Sequence, residues 1–448
     1  MEKIYEVIII GAGPAGLFAS YELLRRNTKN ILLLDKGKMV EKRTVGDVLW
    51  GIGGAGLFSD GKLNFTPRLG KTNLIEFLSQ PEAEKLIEEV EDIFTQFGMD
   101  GKIYPADLKK AEEYRIKAKK LGLDLQIIRQ KHLGSDNLPR YISDMVKRLT
   151  SDGLEIFSGC EVQNIVRKNK GVFTLETSKG RLIGKNLIVC PGRSGNSWLT
   201  SELQRLGVLL EQQPIEVGIR VETASEVMKD ICSIIYDPTF FFQSDTFDDQ
   251  LRTFCTNPTG YVAQETYKEF VCVNGHAYKE KHSRNANFAL LDRVSLTEPV
   301  TDTIAYGESI CKLASTIGGG KPIIQRYADF KRHRRSTVDR LAKSDIEPTL
   351  KEITPGDIGM AFPYRIVTNL IEGIEKLDQI VPGLANNSTL LYAPEVKFFS
   401  VRPKIDKNLQ TEIKGLFVAG DGAGVSGNIV GAAATGIIAA RGIMADLS

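Results

Sequence analysis

The hydrophobic period changes twice near the start of the chain. In "EVIIIGAGPAGLFASYELLRRN", Ile8, Ile9 and Ile10 form an unbroken apolar run, the pattern of a strand buried on both faces. After a glycine turn, Leu17, Leu23 and Leu24 repeat at helical spacing. A second apolar run, "NILLLDKG", predicts another buried strand that ends at Asp35. From Thr72 to about Lys120 the chain is charged and helical in pattern. In "PEAEKLIEEVEDIFTQFG", for instance, Leu86, Val90, Ile93 and Phe97 share one face. A short strand around "LDLQIIRQ", a helix around "LPRYISDMVKRLTSDG" and a run of β signals up to "NLIVCPG" follow. From residue 208 to 387 the texture differs: strand-like "EVGIRVE", "LRTFCTN" and "FVCVNG" precede two or three helices. From Leu390 the chain returns to strand, turn and glycine-rich helix. The pattern predicts an α/β protein whose first domain, 1–207 and 388–448, is interrupted by an inserted, mainly antiparallel β-sheet domain over 208–387.

Composition narrows the setting. Apolar residues make up 42% and charged residues 25% of the 448, and 58 basic against 56 acidic side chains leave a net charge of +2. That balance gives no global pull toward nucleic acid or an anionic membrane. The six cysteines, Cys160, Cys190, Cys232, Cys255, Cys272 and Cys311, form no C-x-x-C pair, which suits small buried hydrophobes in a reducing compartment. It also argues against a dithiol redox centre. "MEKIYEVIIIGAG" lacks the apolar core of a signal peptide. "NIVGAAATGIIAARGIMADL" is apolar enough to suggest a membrane span, but Arg441 and its many small residues predict a buried helix instead. The expected location is cytoplasmic.

G-x-G-x-x-G occurs three times: at Gly11, Gly13 and Gly16, at Gly51, Gly53 and Gly56, and at Gly422, Gly424 and Gly427. A dinucleotide fingerprint needs a strand before it, a helix after it and an acid about 20 residues further on. The first match has all of these. Gly11 permits the tight turn, Gly13 lets the backbone approach a diphosphate, Gly16 lets helix and strand pack closely, and Asp35 can accept from a ribose. The second match lacks a preceding strand, and "LFSDGKLNFTPRLG" is too rich in turn residues to open a long helix. "WGIGGAGLF" is nevertheless too apolar for a linker, so a loop that lets backbone approach a flat flavin ring is expected. The third match lies between a strand and a helix but has no later strand to carry the acid, and Asp446 falls within the terminal helix. Asp421 there can accept from ribityl hydroxyls, and the N–H groups near Asn428 and Ile429 can face the flavin pyrimidine ring. One extended dinucleotide gripped at three places is predicted.

Taken together, these residues place the chain in a Rossmann-like, three-layer class with an inserted domain. It resembles the two-dinucleotide-binding-domain flavoproteins of the glutathione-reductase-like superfamily. More narrowly it is similar to the FAD-dependent dehydrogenase family, whose blocks match "GGAGLFSDGKLN", "HLGSDNL", "GRSGNSW", "VGIRVE" and "GLFVAGDGAG" in order. The resemblance implies FAD contacts from Gly11, Gly13, Pro14, Ala15 and Gly16, with Asp35 and Lys36 at the ribose. It implies adenine contact near Val162, a turn of Cys190, Pro191 and Gly192, and flavin contact from Gly54, Ala55, Gly56 and Leu57. Gly420, Asp421, Asn428 and Ile429 complete the set. Asp35 stands where a glutamate is more usual, and "VCPG" replaces an alanine-threonine-glycine turn.

Lys62, just after the glycine loop, and His276, in the β-rich insert, are the candidate catalytic polar groups. Lone histidines, His132 included, more often serve structure. The basic run "KRHRRSTVDR" over 331–340 reads either as a solvated helix face or as a patch for a phosphate-bearing substrate or RNA. No metal cluster, P-loop or nucleophile elbow is present in the sequence. The predicted activity is FAD-dependent oxidoreduction: hydride transfer between flavin N5 and a small organic substrate chosen by the inserted domain, with NAD(P)H only a transient visitor. An NAD(P)H-fed monooxygenase and an RNA-modifying or non-catalytic FAD protein are the alternatives.

Overall fold

A computed structural model describes residues 3–47, 49–59, 61–133, 137–168, 171–267, 269–277, 281–294, 302–397 and 401–447. Asp60 of "GGAGLFSDGKLN" and residues 134–136 of "HLGSDNL" lie outside the described residues. The chain divides into two compact units, the first formed by 1–102, 129–213 and 400–448, the second by 103–128 and 214–399.

The first unit is built on a seven-stranded sheet. The Ile4–Ile10 strand is central, parallel to Ile31–Leu34 on one side and to Gly180–Val189 on the other. Glu155–Phe157 extends the sheet beyond Ile31–Leu34, and Leu416–Val418 adds to Gly180–Val189, both in parallel. Val162–Lys168 and Val172–Thr177 fold back antiparallel at one edge. The isoleucine run is buried as its lack of alternation demands. The Pro14–Arg25 helix packs on the Ile429–Leu447 helix. Fully buried Glu22 joins them, accepting from Arg441 Nε at 2.8 Å, while Arg441 Nη2 reaches Glu89 at 2.6 Å. Of the apolar span Ile429–Asp446, 72% is buried inside the protein, so this is a core helix as its arginine implied. The charged helix begins later than its pattern suggested. Thr72–Asn73 is a short strand, and the Gln80–Gln96 helix starts at a capping box of Ser79 and Glu82.

The second unit carries an eight-stranded, mostly antiparallel sheet with Ile215–Ala224 near its middle. Ile215, Val217, Ile219 and Val221 pack with the apolar faces of the Thr303–Ile317 and Tyr364–Asp378 helices. The alternate positions are polar and equally buried. Glu216 pairs with Arg252 at 2.6 Å, and Arg220 with Glu395 at 3.4 Å. The unit boundaries differ from the predicted 208–387 at both ends. Asp124–Gln126 pairs with Thr239–Gln243 at the sheet edge, which draws 103–128 into this unit. Leu390–Lys397 pairs with Ile215–Ala224, so the return to the first unit comes after that strand. A three-residue edge strand has too little period to declare its sheet. Among the described residues the cysteines are free thiols, but Cys272 and Cys311, distant in sequence, bring their sulfurs within 3.5 Å. The basic run is not a helix face. Most of it is irregular chain, with Arg334 Nε 2.7 Å from buried Asp329 and Lys331 paired to Glu375.

Candidate functional site

The first glycine motif has the geometry its spacing predicts, but its three glycines serve different needs. A Cβ on Gly11, at φ +103°, would lie 2.1 Å from the Cys190 carbonyl oxygen, and one on Gly16 would lie 1.9 Å from the Gly11 carbonyl oxygen. Both are demanded by the protein's own packing. Gly13 is not. Its φ of −76° suits any residue, and its Cβ would meet nothing closer than Gly54 Cα at 3.7 Å. What Gly13 faces is a cavity of about 400 Å³ lined by residues of the first unit. A glycine that the protein does not need, at the wall of a cavity and at the start of a 12-residue helix, fits a phosphate-bearing ligand approaching the backbone.

The other two motifs line the same cavity. Gly53 N–H donates to Ala12 C=O at 2.8 Å, which joins the second glycine stretch to the first. Buried Arg43 fixes its shape: Nη1 donates to the carbonyls of Ile52 and Gly54 at 2.7 and 2.9 Å, and Nη2 to Asp47 C=O at 2.9 Å. Short 3₁₀ turns flank this stretch, so it builds no nucleotide fold of its own. The third motif follows the Leu416–Val418 strand. There Asn428 Oδ1 accepts from Gly431 N–H at 2.7 Å and caps the terminal helix.

Asp35 is buried, and both of its oxygens are engaged, Oδ2 by Ala12 N–H at 2.9 Å and Oδ1 by Gly37 N–H at 2.8 Å. The shorter acid thus braces the glycine turn while keeping lone pairs toward the cavity. Cys190 is buried with its thiol 3.3 Å from the Gly11 carbonyl. Burial first, and Asp35 second, push its pKa well up, so it stays a thiol and is no nucleophile. Asp421 is opposite in character. Burial raises its pKa, but Lys71 and Arg193 together outweigh that and hold the carboxyl below its ordinary range.

All the predicted cofactor residues line the cavity except Gly16, which is sealed in the turn, and Leu57, which lines a separate apolar void of about 20 Å³. The two catalytic candidates are elsewhere. Lys62 lies on the Lys62–Phe65 strand opposite His132, and His276 ends the Val271–His276 strand of the second unit, exposed. Neither lines the cavity. Sequence reasoning missed Arg43, Lys71, Arg193 and both tryptophans of the chain, Trp50 and Trp198, which line the cavity. The tryptophans could have been found, because each adjoins a glycine-rich block.

Residues 6–222 match the family described as FAD dependent oxidoreductase, and residues 214–398 match FAD-dependent protein, C-terminal domain-like. Residues 351–448 match Glucose inhibited division protein A. An uncharacterized protein of Clostridium beijerinckii is 26% identical, with 98% of this chain and 80% of that protein covered. Solved structures similar to the chain include glycine oxidase from Geobacillus kaustophilus (13% identity, 99% and 95% of the two chains covered, TM-score 0.41). They also include L-proline dehydrogenase from P. horikoshii (12%, 100% and 95%, 0.43). Neither likeness bears on this chain's substrate. Two adjoining family matches specify the same cofactor, and the Gly13 wall leaves room for it: the chain is an FAD-dependent oxidoreductase.

Proposed function

We propose that the cavity holds one extended FAD and that the enzyme moves a hydride between flavin N5 and a small organic substrate. When bound, FAD supplies the hydride acceptor or donor. The chain's part is to bind and orient. The free N–H groups of the Pro14–Arg25 helix face the diphosphate, and Asp35 accepts from the ribose with Lys36 beside it. Val162, Trp50 and Trp198 enclose the adenine end, with Cys190, Pro191 and Gly192 forming the adjoining wall. Gly54, Ala55 and Gly56 lie along the flavin, and Asp421 accepts from ribityl hydroxyls. The N-terminus of the Ile429–Leu447 helix faces the pyrimidine ring and favours its electron-rich form by about 0.3–1 kcal/mol, up to ~2 where partly buried.

Gly13 is the observation that carries this reading, since only a ligand explains its lack of a side chain. Protein released from denaturation should yield FAD and not FMN, and Gly13→Val should purify folded but colourless. Flavin content in Gly13→Val equal to wild type would refute the assignment. An NAD(P)H donor would dock only for the time of transfer, because the second and third glycine motifs serve the first motif's cavity. Rapid mixing with NADH or NADPH tests this, and a tightly held, stoichiometric nicotinamide nucleotide would overturn it. Free thiols, including the Cys272 and Cys311 pair, fit a reducing cytoplasmic setting.

A further inference from the structure

The Arg68–Leu69 and Thr72–Asn73 strands form a small hairpin, and Gly70, at φ +59°, allows its two-residue turn. Lys71 is the other turn residue. Lysines at such tips normally extend into water, but this side chain is only 11% exposed. Its ammonium pairs with the Asp421 carboxylate and donates to the Asp421 carbonyl oxygen at 3.2 Å. Thr72 is fully buried, and its Oγ1 accepts from Gly427 N–H at 2.9 Å and from Asn428 Nδ2 at 3.0 Å. The packing is close enough to exclude side chains on the other side. A Cβ on Gly427 would lie 2.8 Å from Lys71 Cγ, and one on Gly431 would lie 2.6 Å from the Thr72 side chain. Two consecutive residues therefore grip both ends of the 421–428 turn, whose Asp421, Gly427 and Asn428 line the cavity.

The charges at this grip do not cancel. Asp421 faces Lys71 and also Arg193, whose Nε is 3.1 Å from Oδ2. Two cations stand against one carboxylate, so the wall beneath the flavin end carries an excess positive charge. Much of it is on a lysine that solvent barely screens, whereas Arg193 is 65% exposed. Burial pushes the Lys71 ammonium down and Asp421 pulls it partly back, a cost that the paired geometry offsets.

We propose that Lys71 and Thr72 are positioning residues for the flavin end of FAD: together they fix the 421–428 turn, and Lys71, acting through Asp421, makes the site hold reduced FAD more tightly than oxidised FAD. This rests on FAD occupying the cavity. Excess positive charge favours the state richer in electrons, and removing it lowers the midpoint potential.

The test uses full-length protein reconstituted with FAD, reading dissociation constants by flavin fluorescence and midpoint potential by dye equilibration. Lys71→Met keeps most of the stem and loses the charge. It should weaken FAD binding and lower the two-electron potential by about 30 mV, equivalent to a tenfold change in the ratio of the oxidised and reduced dissociation constants. Lys71→Arg should return the potential to near wild type. Thr72→Val should loosen FAD in both redox states with the potential unchanged. An unaltered potential in Lys71→Met, or equal falls in the Met and Arg variants, would overturn the proposal and leave Lys71 a packing residue. Should Lys71→Met fail to fold, Arg193→Gln carries the test: a smaller fall in potential supports the excess charge, and no fall refutes it. Wild-type protein that takes up no FAD would instead overturn the cavity assignment itself, a result distinct from either.

Discussion

The stretches at residues 11–16 and 51–56 share one spacing of glycines and differ in what the glycines are for. In the first, Gly11 and Gly16 are places where any side chain would strike a backbone carbonyl, and Gly13 alone is left to a ligand. In the second, Gly51, Gly53 and Gly54 sit at φ +115°, +94° and +66°, a conformation that L side chains rarely adopt. Their loop has no regular element to hold it, so a buried guanidinium does that work through carbonyl oxygens. Its last glycine, Gly56, has ordinary neighbours: a Cβ would meet Ile429 Cδ1 at 3.5 Å. The motif spacing is therefore no guide to role. The third glycine is a packing necessity in one stretch and a cavity wall in the other.

The largest effect should come from Gly16→Ala. A methyl 1.9 Å from the Gly11 carbonyl cannot be relieved by a rotamer, so the cost should exceed the ~1–3 kcal/mol of ordinary overpacking. Chemical denaturation should find little folded protein, with or without FAD. Next comes Gly13→Ala, where the two properties should separate. Replacing glycine at φ −76° reduces the freedom of the unfolded chain and should stabilise the FAD-free protein by about 0.4–1 kcal/mol. The same methyl faces the diphosphate and should weaken FAD binding at least tenfold. Trp50 and Trp198 both line the cavity, so intrinsic fluorescence gives a direct titration. A Gly13→Ala protein that binds FAD normally would make the two stretches alike after all.

How much of this was legible depends on how local the physics is. The Ile8, Ile9 and Ile10 run, the glycine turn and Asp35 lie within one strand–helix–strand unit, and each is explained by neighbours close in sequence. The sheet of the second unit was visible through "EVGIRVE", whose alternation separates Ile219 and Val221 from Arg220 and Glu222. Lys71 was not visible, because its partner Asp421 is at the other end of the chain and a lysine between a glycine and a threonine reads as a surface turn. Asp124–Gln126 was assigned to the wrong unit for a related reason, since only pairing with Thr239–Gln243 reveals its sheet. Lys62 and His276 were chosen by residue type and proximity in sequence, and neither property places a side chain at a cavity.

Arg43→Met addresses the second stretch directly and should have an intermediate effect. The thioether keeps much of the buried volume but donates no hydrogen bonds, leaving the Ile52, Gly54 and Asp47 carbonyls without this donor. A loss of about 1–3 kcal/mol in unfolding free energy is expected, with FAD bound more weakly because the loop wanders. Arg43→Lys should not restore either property, since a single ammonium cannot span the same carbonyls. Full rescue by lysine would show that charge near Asp35, and not the fork of donors, holds the loop.

Gly56→Ala should give the smallest change and the finest distinction. The added methyl would rest on Ile429 side-chain atoms at 3.5 and 3.6 Å, which is ordinary contact, and the position needs no left-handed backbone. Thermal unfolding without FAD should therefore match wild type, in contrast to Gly16→Ala at the equivalent place in the first motif. Gly56 also lines the cavity, so any penalty should appear only with the cofactor present, as a several-fold rise in the FAD dissociation constant. A marked loss of stability without FAD would mean that Gly56, like Gly16, is a packing glycine. An unchanged affinity would mean that the flavin does not come close to this backbone. A rise confined to the FAD-bound protein is the only result that assigns Gly56 to the ligand, because it is the only one in which the methyl's neighbour must be FAD itself.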